Sequence, residues 1–325
     1  MDLLGLAAAN LGTPMVLSFA LGFFAALARS DLSMPEAAAK FLSIYLLFAI
    51  GFKGGVSVNE SGLDARLGLA LFAGVALSLA IPVVAFGILR MGTRLDAVDA
   101  AAVAAHYGSI SIVTFVAATA ALTVQGIGAE GYMVAVAAAM EAPAVLVGLW
   151  LASRSRPDAR EDADGALLRE ILLNGSIVLL VGSFVIGWIT GPDGRTEIAP
   201  FIDAPFRGIL CLFLLDMGLV AGRGMRQSLP LLDARLVAFG LAMPLVGAAI
   251  ALPVALALGL SQGGAALLMT LAASASYIAV PAALRVALPE ANPSIYLTLS
   301  LGITFPFNLT LGIPLYQGAA GLFAG

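Results

Sequence analysis

The amino-acid sequence predicts an all-α integral membrane protein of ten transmembrane helices, set out as two five-helix halves. Three observations predict it. Hydrophobic residues fill 61% of the 325 positions and charged residues 11%, against roughly 45–50% and about 25% in a soluble domain. Apolar runs recur from Pro14 to Tyr316 with only short polar gaps, so the mean hydropathy of +1.02 belongs to the whole chain and not to one anchor. Finally, local patterns return in the same order about 165 residues later.

A helix needs about 20 predominantly apolar residues to cross a hydrocarbon core about 30 Å thick. With Gly, Pro and charged clusters as boundaries, the first half gives helices over 13–29, 36–53, 66–90, 97–123 and 130–152. The second half gives 171–190, 204–222, 232–258, 262–286 and 293–317. Residues 1–152 therefore form the first repeat and 171–325 the second, joined by the polar linker 153–170 (SRSRPDAREDADGALLRE). Met1 to Gly12 carries no Lys or Arg ahead of the apolar run, unlike a secretory signal, so the first helix is expected to be retained.

Cytoplasmic loops are enriched in Lys and Arg. With the N-terminus outside, twelve of the sixteen basic residues fall on the cytoplasmic side, among them Arg29, Arg90, Arg154, Arg160 and Arg223. Only Lys53, Arg66, Arg195 and Arg207 remain outside. The expected protein is thus multi-pass in the plasma (inner) membrane, with both termini external and the linker cytoplasmic.

The repeat is carried by short matches. IGFKGG from Ile50 resembles MGLVAG from Met217, and LDARL recurs unchanged at Leu63 and Leu232. Gly108-Ser109 falls opposite Ala275-Ser276, and Glu141-Ala142-Pro143 opposite Thr304-Phe305-Pro306, with offsets between 163 and 169. Five helices is an odd number, so the halves must run upside down relative to each other. That is the inverted-repeat plan of secondary transporters, which bind substrate and coupling ion near the midplane at discontinuous helices.

The fourth and ninth helices are the expected discontinuous pair. The fourth holds Gly108, Ser109, Ser111 and Thr114 in mid-span; the ninth holds Ser274, Ser276 and Pro281. Proline frees carbonyls that need new partners. Half-helix N-termini suit a small anion, and opened carbonyls with hydroxyls suit sodium. Against this stands the packing role that small residues have in membranes. Glu141 is a buried carboxylate beside a proline, in the position of a sodium ligand, and Asn308 sits in the corresponding place in the tenth helix. Asp216 makes the same demand, with a structural hydrogen bond between helices as its alternative. His106, the only histidine, fits a proton relay or a hydrogen-bonded core residue. Lys53 and Arg207 fit interfacial snorkelling. The single Cys211 excludes a disulfide framework and a thiolate cluster. The net charge of -4 without a basic patch argues against nucleic acid. HExxH, CxxC and GxxxxGK[ST] do not occur, so nothing points to an enzyme.

At these residues the chain resembles the sodium-dependent bicarbonate transport permeases of cyanobacterial type. The resembling segments are IGFKGG, HYGSISIVTFVAA from His106, and the long stretch from Ala273 to Tyr316. The resemblance implies five-plus-five inverted topology, crossing helices four and nine, and a core domain of helices three to five and eight to ten. The other four helices would form a gate domain. It implies homotrimers, sodium-coupled bicarbonate symport by alternating access, and in many members a cytosolic PII-like regulator. It places bicarbonate among Gly108, Ser109, Ile110, Ser111, Ala275, Ser276 and Tyr277. Sodium would be held by Ser109, Ser111, Thr114, Glu141, Ser274, Ser276, Thr304 and Asn308. No cofactor is expected beyond Na+ as coupling ion. Competing expectations are a carrier of another small anion, a sodium/proton antiporter, and, in a different class, a membrane sensor or channel.

Overall fold

The computed structural model describes residues 11–62, 65–141, 143–154, 175–228, 233–277, 280–281, 283–284 and 288–323. Expectations for Met1 to Asn10, for the linker beyond Arg154, and for Leu63, Asp64 and Leu232 of the LDARL repeats lie outside these residues. The protein is all-helical, and no strand occurs among the described residues. We number the helices α1 (Pro14–Leu27), α2 (Glu36–Ser61), α3 (Ala65–Gly92), α4 (Ala97–Gly108), α5 (Ile112–Val124), α6 (Met133–Glu141), α7 (Pro143–Arg154), α8 (Gly175–Ile202), α9 (Phe206–Ser228), α10 (Ala234–Ala257), α11 (Gln262–Ala272) and α12 (Pro293–Phe323).

Among the described residues, seven helical stretches are long and apolar enough to cross a membrane: α2, α3, α4 with α5, α6 with α7, α9, α10 and α12. The apolar α1 and α11 are shorter, at 14 and 11 residues. Local chemistry sets several ends. Thr13 caps α1 with Pro14 at its first position, where the missing N–H costs nothing. Asp96 caps α4, Asp233 caps α10 and Ser261 caps α11, each side chain accepting a first-turn N–H.

Several boundaries differ from the sequence reading, among them the end of α9, which runs past the expected 222 to Ser228. α2 does not stop at Lys53 but runs to Ser61. Gly54 and Gly55 look like a helix end in sequence, yet Gly55 is where α8 presses against α2. The sixth helix does stop where expected, at Gly191, whose φ of 58° and ψ of -151° leave the helical region. The chain then resumes a helical path over 192–202, a segment whose Asp193, Arg195 and Glu197 had read as loop.

The helices sort into two groups by contact. In one, α2 lies along α8 and α1 along α9, with α2 also touching α9. In the other, α3 packs on α4, α6, α7 and α10, α10 packs on α11 and α12, and α11 packs on α5 and α12. The close contacts of the first group come in matched sets. A Cβ on Gly55 would lie 2.6 Å from the Trp188 nitrogen and nearer still to the Phe184 carbonyl; on Gly218 it would lie 2.8 Å from the Phe23 nitrogen and nearer still to the Phe19 carbonyl. Gly187 meets the Phe52 carbonyl as Gly22 meets the Leu215 carbonyl. Every partner is displaced by 163 or 165 residues from its counterpart. The contacts pair Gly55 with Gly218, one helical turn off the alignment of IGFKGG with MGLVAG that sets Gly51 opposite Gly218, and in both segments a glycine lets backbones touch.

The second group has a matched set of its own. The Ser78 hydroxyl of α3 donates to the Met140 carbonyl of α6 at 2.6 Å, while the Thr304 hydroxyl of α12 donates to the Gly240 carbonyl of α10 at 2.7 Å. Ser78 and Gly240 are 162 residues apart, as are the intrahelical prolines Pro82 and Pro244.

Candidate functional site

The fourth apolar stretch is interrupted at Ser109–Ser111. Ser109 ends α4 in an extended conformation, and Ser111 starts α5 with its hydroxyl accepting the Thr114 N–H at 3.2 Å. The ninth is interrupted after Ala273, where residues 274–276 carry no helical turn. The two interruptions meet. The Ser111 N–H donates to Ser274 Oγ at 2.8 Å, and the Ser276 N–H donates to the His106 carbonyl at 2.8 Å. Backbone donors released by each break are thereby satisfied by the other.

Neighbouring helices close around this junction. Ser109 donates its hydroxyl hydrogen to the Glu141 carbonyl at 3.0 Å, which ties the α4 end to α6. The Asn308 amide of α12 donates to the Ala273 carbonyl at 2.8 Å and accepts the Tyr316 hydroxyl at 2.7 Å. Tyr107 donates to Thr304 Oγ1 at 2.6 Å, since the Thr304 hydrogen is committed to Gly240. Around Thr304 and Asn308, α12 widens into π turns over Thr298–Thr304 and Asn308–Gly312. Such turns shift side chains off the regular helical face and concentrate at functional positions.

The sequence-predicted residues fall as follows. Ser109, Ser111, Thr114, Glu141, Ser274, Ser276, Thr304 and Asn308 are all buried. Gly108, Ile110, Ala275 and Tyr277 lie in or beside the two interruptions, and the Tyr277 hydroxyl approaches Ser111 without completing a hydrogen bond. Besides that hydroxyl, oxygen groups on three further side chains are left with capacity among the described residues. Thr114 Oγ1 is buried and unpartnered, the Glu141 carboxylate makes no hydrogen bond or ion pair among the described residues, and Ser111 Oγ uses one lone pair on Thr114. An all-oxygen set with one carboxylate is the donor chemistry of a hard cation. The first turn of α5 supplies N–H groups and the positive end of its dipole beside it.

Other candidates resolve differently. Gly108 has a packing reason of its own: its missing Cβ would collide with the Pro82 ring and lie 2.9 Å from Ala144 Cβ. His106 is fully buried, donates Nδ1–H to the Ala102 carbonyl at 2.7 Å and stacks on Tyr296 at 4.4 Å, with Nε2 unpartnered. Asp216 is buried in α9, but no hydrogen bond or ion pair joins it to another described residue, so the interhelical bond offered as its structural role is not among those present. Sequence reasoning passed over Tyr107, Tyr316 and Ser78, because a tyrosine or serine in an apolar span reads as packing. It also missed the π turns, for which Pro306 is the one sequence signal.

No curated protein matches this chain. A family model described as the Na+-dependent bicarbonate transporter superfamily matches residues 14–321, from the first turn of α1 to the last turn of α12. The matched span takes in both helix interruptions and every side chain around them, and the chain belongs to the Na+-dependent bicarbonate transporter superfamily.

Proposed function

We propose that the protein is a secondary transporter that imports bicarbonate with sodium by alternating access, and that the meeting of the two interrupted helices is where both ions bind. The observation that carries the reading is the reciprocal backbone closure at 2.8 Å between Ser111 and Ser274 and between Ser276 and His106. It is flanked by unspent oxygen groups on Thr114 and Glu141. Sodium is assigned to Glu141, Thr114 and Ser111, with Ser109, Ser274, Ser276, Thr304 and Asn308 as supporting ligands or positioners. Bicarbonate is assigned to the backbone of 108–111 and 275–277. No Lys or Arg belongs to either interruption, so the anion's charge is met by helix ends, hydroxyls and the bound cation. Two opposite charges in one water-poor cavity stabilise each other, so sodium and bicarbonate should bind cooperatively.

The matched glycine contacts and the matched Ser78 and Thr304 bonds support a ten-helix, five-plus-five inverted repeat with crossing helices. In this reading the α1, α2, α8 and α9 group is the gate domain, and the rest is the core. The reading extends to both termini outside, the inner membrane and a homotrimer; a PII-like regulator would meet the cytoplasmic side. The test is labelled bicarbonate uptake by purified protein in liposomes, with and without an inward sodium gradient. Sodium-dependent accumulation above the equilibrium level is expected. Uptake that ignores sodium overturns the coupling, and flux that only equilibrates bicarbonate assigns a channel.

A further inference from the structure

The four basic residues left outside by the charge asymmetry share a location. A cavity of about 800 Å³ is lined by Lys53 of α2, Arg195 and Asp203 near the end of α8, and Arg207 of α9, facing α5 and α6 across the seam between the two helix groups. A second cavity of about 500 Å³ is lined by Arg66. The two share Ser57 and the turn 128–131 as a common wall. All four cations that break the topological rule therefore line two adjoining cavities on one side of the protein.

Two carboxylates, Asp203 and Glu130, stand against the four cations, so the lining carries two positive charges in excess. Asp203 is divided between two cations, at 2.7 Å from Lys53 Nζ and 3.7 Å from Arg195 Nε. Glu130 is turned to other work: one oxygen accepts the Ser261 N–H at 2.7 Å and the other the Ser261 hydroxyl at 3.0 Å, at the cap of α11. Arg207 is exposed and has no ion pair among the described residues. Lys53 is also held 4.7 Å from the Phe206 ring centroid, so its ammonium is fixed at the wall. The deep end of the larger cavity reaches Phe115 and Met133. Phe115 follows Thr114, whose buried hydroxyl has no partner.

We propose that these adjoining cavities form a vestibule that collects a small monovalent oxyanion on its way to the helix interruptions, with Lys53, Arg195, Arg207 and Arg66 as the collecting charges and Asp203 as the clamp that orients two of them. The inference rests on the bicarbonate reading for the identity of its ligand, but not for its sign. A cleft lined by one excess sign of charge raises the local concentration of counter-ions and the rate of their capture. In a water-like medium, a unit charge about 8 Å away changes the local concentration of a monovalent ion about twofold. The ratio of oppositely charged probes then changes about fivefold for each cation removed.

The probe is a cysteine at the exposed cavity residue Thr123, introduced as Thr123→Cys in a Cys211→Ala background. Its reaction rates with anionic and cationic thiosulfonate reagents of equal size are measured at low ionic strength in intact proteoliposomes. The anionic reagent should react several-fold faster. That preference should fall about fivefold in Arg207→Gln, whose side chain is exposed and unpaired, and should fade as salt rises. In the same vesicles, Arg207→Gln and Lys53→Gln should raise the bicarbonate concentration needed for half-maximal uptake about twofold or more. A wild-type cavity that reacts equally or faster with the cationic reagent overturns the vestibule, as does an unchanged half-saturation in Arg207→Gln beside a wild type that transports. Absence of sodium-driven bicarbonate uptake in wild type overturns the transport reading alone, because the reagent ratio still decides whether the cavity gathers anions.

Discussion

The sharpest consequence of the matched glycine contacts concerns alanine. At Gly55 a Cβ would stand 2.6 Å from the Trp188 nitrogen and closer to the Phe184 carbonyl; at Gly218 it would stand 2.8 Å from the Phe23 nitrogen and closer to the Phe19 carbonyl. Ordinary contact begins near 3.4 Å, so the nearest carbonyl in each case demands a shift of more than 1 Å. The opposing atoms are backbone, which cannot rotate away, so the two helices must part. Separating packed helices by that much forfeits about half or more of the dispersion well along the contact, and overpacking of this kind costs about 1–3 kcal/mol. We expect Gly55→Ala and Gly218→Ala each to lose about 2 kcal/mol, and to lose alike. Gly182 on the same α8 has nothing within 4 Å of its hypothetical Cβ, so Gly182→Ala should be neutral or gain roughly 0.5–1 kcal/mol from reduced backbone entropy. The assay is thermal unfolding of the three purified variants and wild type in one detergent. If Gly182→Ala loses as much as Gly55→Ala, or if Gly55→Ala and Gly218→Ala differ by more than about 1 kcal/mol, neither the steric argument nor the equivalence of the two sites survives.

Three further outcomes are expected. Glu141→Gln keeps the shape of the side chain and removes its charge, so the sodium concentration for half-maximal uptake should rise at least about tenfold; an unchanged sodium dependence in a correctly assembled variant removes Glu141 from the site. Ser274→Ala strips the acceptor from the buried Ser111 N–H, which costs about 1–3 kcal/mol, and should lower both bicarbonate uptake and thermal stability; wild-type values for both would show that the breaks do not depend on each other. A reporter fused after Arg160 should read cytoplasmic and reporters at both termini external; the reverse pattern would overturn the orientation, and a linker on the same side as a terminus would overturn the count of five helices per half.

Much of the architecture was legible because membrane spans announce themselves by apolar length, and the two interruptions by Gly and Ser where apolar residues are expected. What was not legible shares one cause: the residue types involved serve two purposes. Glycine marks both a helix end and a close helix contact, so Gly54-Gly55 hid the last eight residues of α2. The same ambiguity attaches to Gly108, whose missing Cβ makes room for Pro82, a packing role the sequence does not separate from a binding one. Tyr107 and Tyr316 look like apolar filler until their hydroxyls are seen on Thr304 and Asn308. The π turns of α12 shift the register by less than one residue per turn, which hydrophobic periodicity does not resolve in a helix buried on most sides. The charged vestibule was visible only as four exceptions to a rule.

The two helix groups are held together by different physics, and the difference bears on how they move. Within the first, backbone-to-backbone glycine contacts lock α1 to α9 and α2 to α8, reinforced by Asn59 on the Trp188 carbonyl and by Arg226 on the Ala26 carbonyl. Within the second, a polar network running from Ser78 through Asn308 fixes the helices in register. The interhelical hydrogen bonds and ion pairs described above all stay inside one group or the other. Contacts across the seam include Phe19 against Phe305, with ring centroids 5.3 Å apart, and a close glycine approach in which Gly54 meets Val134 and the Gly131 carbonyl and Gly131 meets Ser57. The aromatic contact is non-directional, so sliding one group along the other there exchanges like for like, and only the Gly54–Gly131 approach has to part, whereas sliding within a group would break hydrogen bonds or force backbones together along whole helices. The vestibule opens on this same seam. A rigid-body displacement of the second group against the first would therefore carry the helix interruptions past the charged wall without dismantling either, which is the mechanical requirement of alternating access.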